Sequence, residues 1–260
     1  MSSPTVFVTG AAAGIGRATA LHFAARGYVV GAADIDELGL GRLAAEIEAE
    51  GGTVQTGVLD VTDDAQWQQR LAEFHRAHGR LDILINNAGI LRSGRFEDID
   101  LGEQHRMVAV NVNGVISGAH HGFPYLRETT GAQLVNLCSA SAIYGQPELA
   151  TYGATKSAVK SLTEALDLEW ARHDIRVIAI WPLFVATGMV EGVETGSTRS
   201  LGVRLTAEDV AKGIWEATRR RGRLPRVHYE IGAQAKLLAL SAKYAPGWAA
   251  RTVNKYLTGS

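Results

Sequence analysis

Short apolar runs alternate along this chain with longer stretches in which apolar positions recur every three or four residues. Thr5–Thr9 is a β-branched run closed by Gly10, and helical spacing follows from about Gly14 to Arg26. Tyr28–Ala33 is a second run, closed by Asp34. Across Leu38–Glu50 the apolar residues fall at Leu40, Leu43, Ala44 and Ile47, which is the repeat of a helix. Thr53–Leu59 predicts a third strand, Ala65–His78 a third helix and Leu81–Ile85 a fourth strand. A long helical pattern covers about Leu101–Thr129, then Ala132–Ser139 reads as a strand and Tyr152–His173 as a helix. Arg176–Trp181 and Arg226–Ile231 are the last strands, with a helix between them over Thr206–Arg219 and Thr206 as its N-cap.

Strands that are apolar throughout, each separated from the next by a helix, predict a parallel sheet covered on both faces. Right-handed crossovers make such a sheet doubly wound. The expectation is an α/β fold with a seven-stranded parallel sheet, helices on both faces, and one domain over residues 1–260. Two segments stand outside the pattern. Residues 188–205 are rich in Gly, Thr, Ser and Glu and read as a long loop for substrate. The tail, about 234–260, carries Leu237, Leu238, Leu240, Trp248, Val253 and Leu257. It is compatible with plain core, a pocket cap, a subunit contact or a membrane-surface contact.

Composition narrows the class. Apolar residues make up 46% and charged residues 20% of the 260, the balance of a globular chain. Lys and Arg total 26 against 27 Asp and Glu, so no charge excess calls for nucleic acid or an anionic membrane. Cys138 is the sole cysteine, which excludes an internal disulfide and fits a reducing, cytoplasmic setting. No charged segment followed by an apolar run marks a signal peptide at the start, and no stretch of about 18 apolar residues predicts a membrane span.

The first chemistry lies after the first strand, in Thr9-Gly10-Ala11-Ala12-Ala13-Gly14-Ile15-Gly16. Glycines let the backbone turn tightly and approach a pyrophosphate, and the helix that starts there aims its free N–H groups at the phosphates. The strand before, the helix after and an acidic residue closing the second strand make this a strong nucleotide signal. Asp34, 24 residues after Gly10, can accept hydrogen bonds from ribose hydroxyls and repel a 2′-phosphate. Further on, Tyr152-Gly153-Ala154-Thr155-Lys156 puts Tyr and Lys on one helix face, one turn apart. A tyrosine of pKa about 10 is a poor base at neutral pH, and a nearby ammonium stabilises its phenolate. Ser139 ends the fifth strand, where ligands sit in a doubly wound sheet.

The glycine spacing, Gly-x-x-x-Gly-x-Gly, resembles the phosphate loop of the short-chain dehydrogenase/reductase family, and the resemblance extends over about residues 5–232. Asn86-Asn87-Ala88-Gly89 matches that family's Asn-Asn-Ala-Gly motif, and Asp60-Val61 its adenine-contacting pair. The resemblance implies a Rossmann-like fold and a nucleotide site formed by Gly10, Gly14, Ile15, Gly16, Asp34, Asp60, Val61, Asn87, Ala88, Gly89, Val185 and Thr187, together with Tyr152 and Lys156. Positions that hold a basic residue in NADP-preferring relatives carry Ala13 and Ile35, so NAD is the expected cofactor. It also implies a catalytic set of Asn111, Ser139, Tyr152 and Lys156. Tyr152 moves the proton, Lys156 lowers its pKa and holds the nicotinamide ribose, Ser139 holds the substrate oxygen, and Asn111 holds a relay water. One departure is Trp181-Pro182-Leu183-Phe184-Val185-Ala186-Thr187, where Leu183 stands for the family's Gly.

The resulting expectation is an NAD-dependent hydride transfer to or from an apolar secondary alcohol or ketone, with Ser139, Ile143, Tyr144, Leu183 and Phe184 as pocket walls. Relatives form dimers or tetramers through the helices at about 101–129 and 152–173, and a homodimer or homotetramer is expected here. Two alternatives stand beside this: a reductase of acyl-thioester ketones, and a nucleotide-binding scaffold without turnover. No metal is expected. His75 and His78 read as a solvated helix face, His120 and His121 as structural, Cys138 as core, and Arg219-Arg220-Arg221 as a helix end.

Overall fold

In the computed structural model, residues 3–188, 195, 202, 204–220, 226–244, 251, 252 and 255 are described. The elements run β1 Thr5–Thr9, α1 Gly14–Ala24, β2 Val29–Asp34, α2 Glu37–Ala49, β3 Thr53–Val58, α3 Asp64–His78 and β4 Ile83–Asn86. They continue with α4 Leu101–Val108, α5 Gly114–Arg127, β5 Gln133–Leu137, α6 Ala150–Trp170, β6 Arg176–Pro182, α7 Ala207–Arg219, β7 His228–Ile231 and α8 Ala233–Tyr244. Among the described residues the strands form one seven-stranded sheet in the order β3-β2-β1-β4-β5-β6-β7, and all neighbours run parallel. The chain reverses its winding direction between β1 and β4, which opens a crevice at the strand ends there.

Alternation along β1 splits the core into two layers. Val6 and Val8 face Phe23, Leu40, Leu43 and Ile214 on one side. Phe7 faces Trp67, Leu71 and Phe74 on the other. Both layers are buried, and burying one such side chain contributes roughly 1.5–3 kcal/mol. The helix ends follow local chemistry. Asp36 accepts from Gly39 N–H at α2, and Asp63 from Ala65 and Gln66 N–H at α3. Thr206 and Asp209 form a reciprocal capping box at α7, as the sequence predicts for Thr206. Gly79, in the left-handed region at φ 72°, stops α3.

The expected single helix over 101–129 is interrupted. Ala109–Asn113 is a π turn between α4 and α5, one residue wider than an ordinary turn. β5 also ends two residues early, so Cys138 and Ser139 lie beyond the strand, and strand alternation does not separate them. In the tail, α8 packs on β7 and on the short 140–142 turn. Leu237 and Leu240 on it are exposed. Trp248, Val253, Leu257 and most of loop 188–205 lie outside the described residues. No helix among those described is long and apolar enough to cross a membrane.

Candidate active site

The crevice at the β1/β4 switch is a cleft of about 540 Å3, within the range of small-molecule and cofactor sites. The glycine loop forms its floor. Gly10 and Gly14 sit at φ 65° and 52°, which L side chains rarely adopt. A Cβ on Gly16 would stand 2.0 Å from the Gly10 carbonyl oxygen, so only glycine allows that approach. The N-cap of α1 is Ala13, with no side chain to satisfy the helix's first N–H groups, and Gly14 and Ile15 line the cleft there. Asn87 braces the loop through Nδ2, which donates to the carbonyls of Thr9 and Gly10 at 2.8 and 3.1 Å. The Thr9 hydroxyl in turn accepts from Asn87 and Ala88 N–H. Asn86 ties β4 to β5 through Asn136 at 3.0 Å.

Asp34 and Asp60 line the same end of the cleft. The Asp34 carboxylate accepts from Ala12 N–H at 2.9 Å and Asp36 N–H at 3.0 Å, so it is fixed against the glycine loop. Asp60 Oδ1 accepts from the Thr62 N–H and hydroxyl. An acidic end, uncapped helix donors in the middle and an open lane beyond fit a nucleotide. Gly89 keeps that lane clear: a Cβ there would come within 3.2 Å of Asn111 Oδ1 and 3.7 Å of Lys156 Nζ.

Ser139, Tyr152 and Lys156 converge at the far end, all buried and all lining the cleft. Ser139 lies near enough to Tyr152 to favour its phenolate, and Lys156 Nζ lies 5.7 Å from the Tyr152 ring centroid. Burial pushes the Tyr152 phenol up to about 12, against a lowering by Ser139. The lowering expected from Lys156 is absent from the groups that shift it. Nζ donates instead to the Leu137 carbonyl at 2.9 Å, and burial lowers the Lys156 pKa. Asn111 is wholly buried in the π turn. Its amide exchanges two 2.8 Å bonds with the Ile90 backbone and donates to the Thr155 hydroxyl at 3.2 Å.

Most predicted walls assemble and two do not. Leu183 and Phe184 line the cleft and pack with Leu91, Met107, Leu149 and Tyr152. Leu183 is not at positive φ, so the backbone accepts it in place of Gly. Val185 and Thr187 line the cleft, with Val185 bridged to Leu205. Ile143 instead packs with Val115, Val159 and Trp181 on the far side of the chain, and Tyr144 is exposed; neither lines the cleft. The cause is the tight turn Ala140–Ala142 after Ser139, which rotates the next residues away. Sequence reasoning missed Ile90, Leu91, Arg106 and Ser141, which do line it. Cys138, read as core, is buried and also lines the cleft wall. Of the histidines read from sequence as surface or structural, His75 pairs with Glu128, His78 with Gln55 and His121 with Asp64.

Residues 4–198 match the family described as short chain dehydrogenase. Over 184 residues the chain is 37% identical to the 3-oxoacyl-acyl-carrier-protein reductase FabG of Thermotoga maritima, covering 71% of this chain and 75% of that protein. Among solved structures it superposes with TM-score 0.82 and 27% identity on a short chain dehydrogenase/reductase from Burkholderia phymatum in complex with NAD, over 93% of this chain and 95% of that one. A 3-ketoacyl-(acyl-carrier-protein) reductase from Brucella melitensis complexed with NADH gives TM-score 0.82 and 28% identity, over 90% and 99%.

Proposed function

The chain belongs to the short-chain dehydrogenase family and is an oxidoreductase acting on CH–OH groups, and on that premise we propose that it uses NAD and takes an apolar secondary alcohol or ketone. The observation that carries this reading is the cleft itself: a fixed carboxylate at one end and the Ser139, Tyr152 and Lys156 set at the other. Asp34 disfavours a 2′-phosphate by like charge, and neither Ala13 nor Ile35 offers it a cation. The wall of Leu91, Leu183 and Phe184, backed by Met107 and Leu149, suits an apolar substituent on the carbinol carbon.

The nicotinamide supplies the hydride when bound. Tyr152 gives its phenolic proton to the carbonyl oxygen in reduction and takes it back in oxidation. Ser139 accepts from its own neighbour's backbone, Ser141 N–H at 3.1 Å, which fixes the hydroxyl that holds the substrate oxygen. Lys156, with Nζ 5.7 Å from the Tyr152 ring, is the cation placed to favour the phenolate, in opposition to burial. A binding scaffold has no use for this acid/base set.

A reductase of acyl-thioester ketones is the second reading, favoured by the FabG likeness. An acyl carrier is acidic and wants a basic rim. The segment that leads away from the cleft wall mixes Arg92, Arg95 and Arg106 with Glu97, Asp98, Asp100 and Glu103, and Arg92 pairs with Glu103 at 2.7 Å, so its charge is mixed. Following reduced-nicotinamide absorbance with NAD⁺ and NADP⁺ over a panel of secondary alcohols tests the proposal. We expect turnover with NAD⁺ that Tyr152→Phe lowers by at least about a thousandfold. Equal turnover with NADP⁺ would remove Asp34 as the discriminator, and activity on thioester ketones alone would promote the second reading.

A further inference from the structure

Gln104 is a buried polar residue in α4 that belongs to none of the motifs above. Its amide is engaged at both ends. Nε2 donates to the Phe96 carbonyl at 3.1 Å and the Ile99 carbonyl at 3.0 Å. Oε1 accepts from the Thr151 hydroxyl at 2.6 Å. The network fixes the amide's orientation, because the flipped form would aim an oxygen at two carbonyls. Thr151 immediately precedes Tyr152.

The first turn of α6 needs such a tether. Its N-cap, Leu149, provides no side-chain acceptor, so the turn that carries Tyr152 has no cap of the kind that holds α2, α3 and α7. A second strut runs in parallel: Gly94 N–H donates to the Glu148 carbonyl at 2.9 Å, next to the helix start. The loop 94–99 is thereby stitched at both ends to the residues that precede Tyr152.

We infer that Gln104, through Thr151, is a positioning residue for Tyr152: it fixes the first turn of α6 so that the phenol keeps its place beside Ser139. The inference rests on the proposed role of Tyr152 in turnover. Misplacing a reacting group by about 1 Å costs up to roughly a hundredfold in rate.

The test uses the full chain with the best alcohol of the panel. Gln104→Leu and Thr151→Val should each lower kcat about tenfold or more, with the Kd for NADH unchanged within about twofold. Thr151→Ser, which keeps the hydroxyl, should retain kcat within about threefold. Because Gln104→Leu removes a buried partner and can weaken folding, Thr151→Val with its Thr151→Ser control decides the matter alone. A second readout does not depend on turnover. In tyrosine Cζ-labelled protein, the resonance missing from Tyr152→Phe identifies Tyr152, and it should shift or broaden in Thr151→Val but not in Thr151→Ser. An inert wild type with a moving resonance would overturn the function and keep the tether. Unchanged kcat and an unmoved resonance in Thr151→Val, or equal losses in Thr151→Ser and Thr151→Val, would overturn the tether.

Discussion

Tyr152 is a buried phenol pushed up to about 12, and its direction of use follows from that. A phenol protonated throughout the neutral range is a ready proton donor and a reluctant base. Ketone reduction needs the protonated form, which is present until pH approaches the raised pKa. Alcohol oxidation needs the phenolate, whose fraction grows tenfold per pH unit below it. Steady-state rates at saturating cofactor should therefore stay flat between pH 6 and 9 for reduction and climb for oxidation. An oxidation rate that levels off near neutrality would mean that Lys156 overcomes burial after all. At this scale the sequence was informative about identity and less so about environment. Tyr152, Lys156, Ser139 and Asn111 stand out by spacing and resemblance. That Nζ of Lys156 turns to the Leu137 carbonyl depends on how tightly the site closes, and no spacing encodes it.

Elements were legible wherever a local signal marked their ends. Thr206 is an example: a cap residue three positions before an acid, reciprocated in the structure by Asp209. Thr206→Ala should cost about 1 kcal/mol, read as a lower urea midpoint with an unchanged slope. Because Leu205, the residue before it, bridges to Val185 in the cleft wall, the same change should weaken NADH binding severalfold while leaving α1 and its glycine loop intact. Unaltered affinity would show that the wall holds without the cap. Illegible features were those made by distant partners. Gln104 and Thr151 are 47 residues apart and meet only in the fold. The displacement of Ile143 and Tyr144 follows from the tight turn Ala140–Ala142, a bend that no periodicity marks.

On the scale of the molecule, the outer faces of α4, α5 and α6 keep apolar residues in water. Leu101, Val108 and Ile116 are exposed along α4 and α5, and Leu168 is 80% exposed on α6. Phe123 of α5 and Trp170 of α6 meet in a tilted ring contact with centroids 4.9 Å apart, so the two helices adjoin. An exposed apolar patch of this kind marks an interface, and a second copy of the chain is the occupant we propose. Sedimentation velocity should give a dimer or tetramer, and Ile116→Glu combined with Leu168→Glu should give a monomer. A wild-type monomer would refute the assembly.

The wide turn Ala109–Asn113 bears on how this chain can change through evolution. It adds one residue to a helix that would otherwise run evenly from Leu101 to Arg127, so α4 and α5 present their buried faces about a third of a turn out of phase. Across that offset Met107 packs behind Leu183 and Phe184, and Val115 joins a separate cluster with Val159 and Trp181. Exchanging one side chain for another here leaves the phase untouched. Losing a single codon would not: the helix would tighten, α5 would rotate as a unit, and Asn111 would swing away from Ile90. The segment is thus more tolerant of spelling changes than of any change in length.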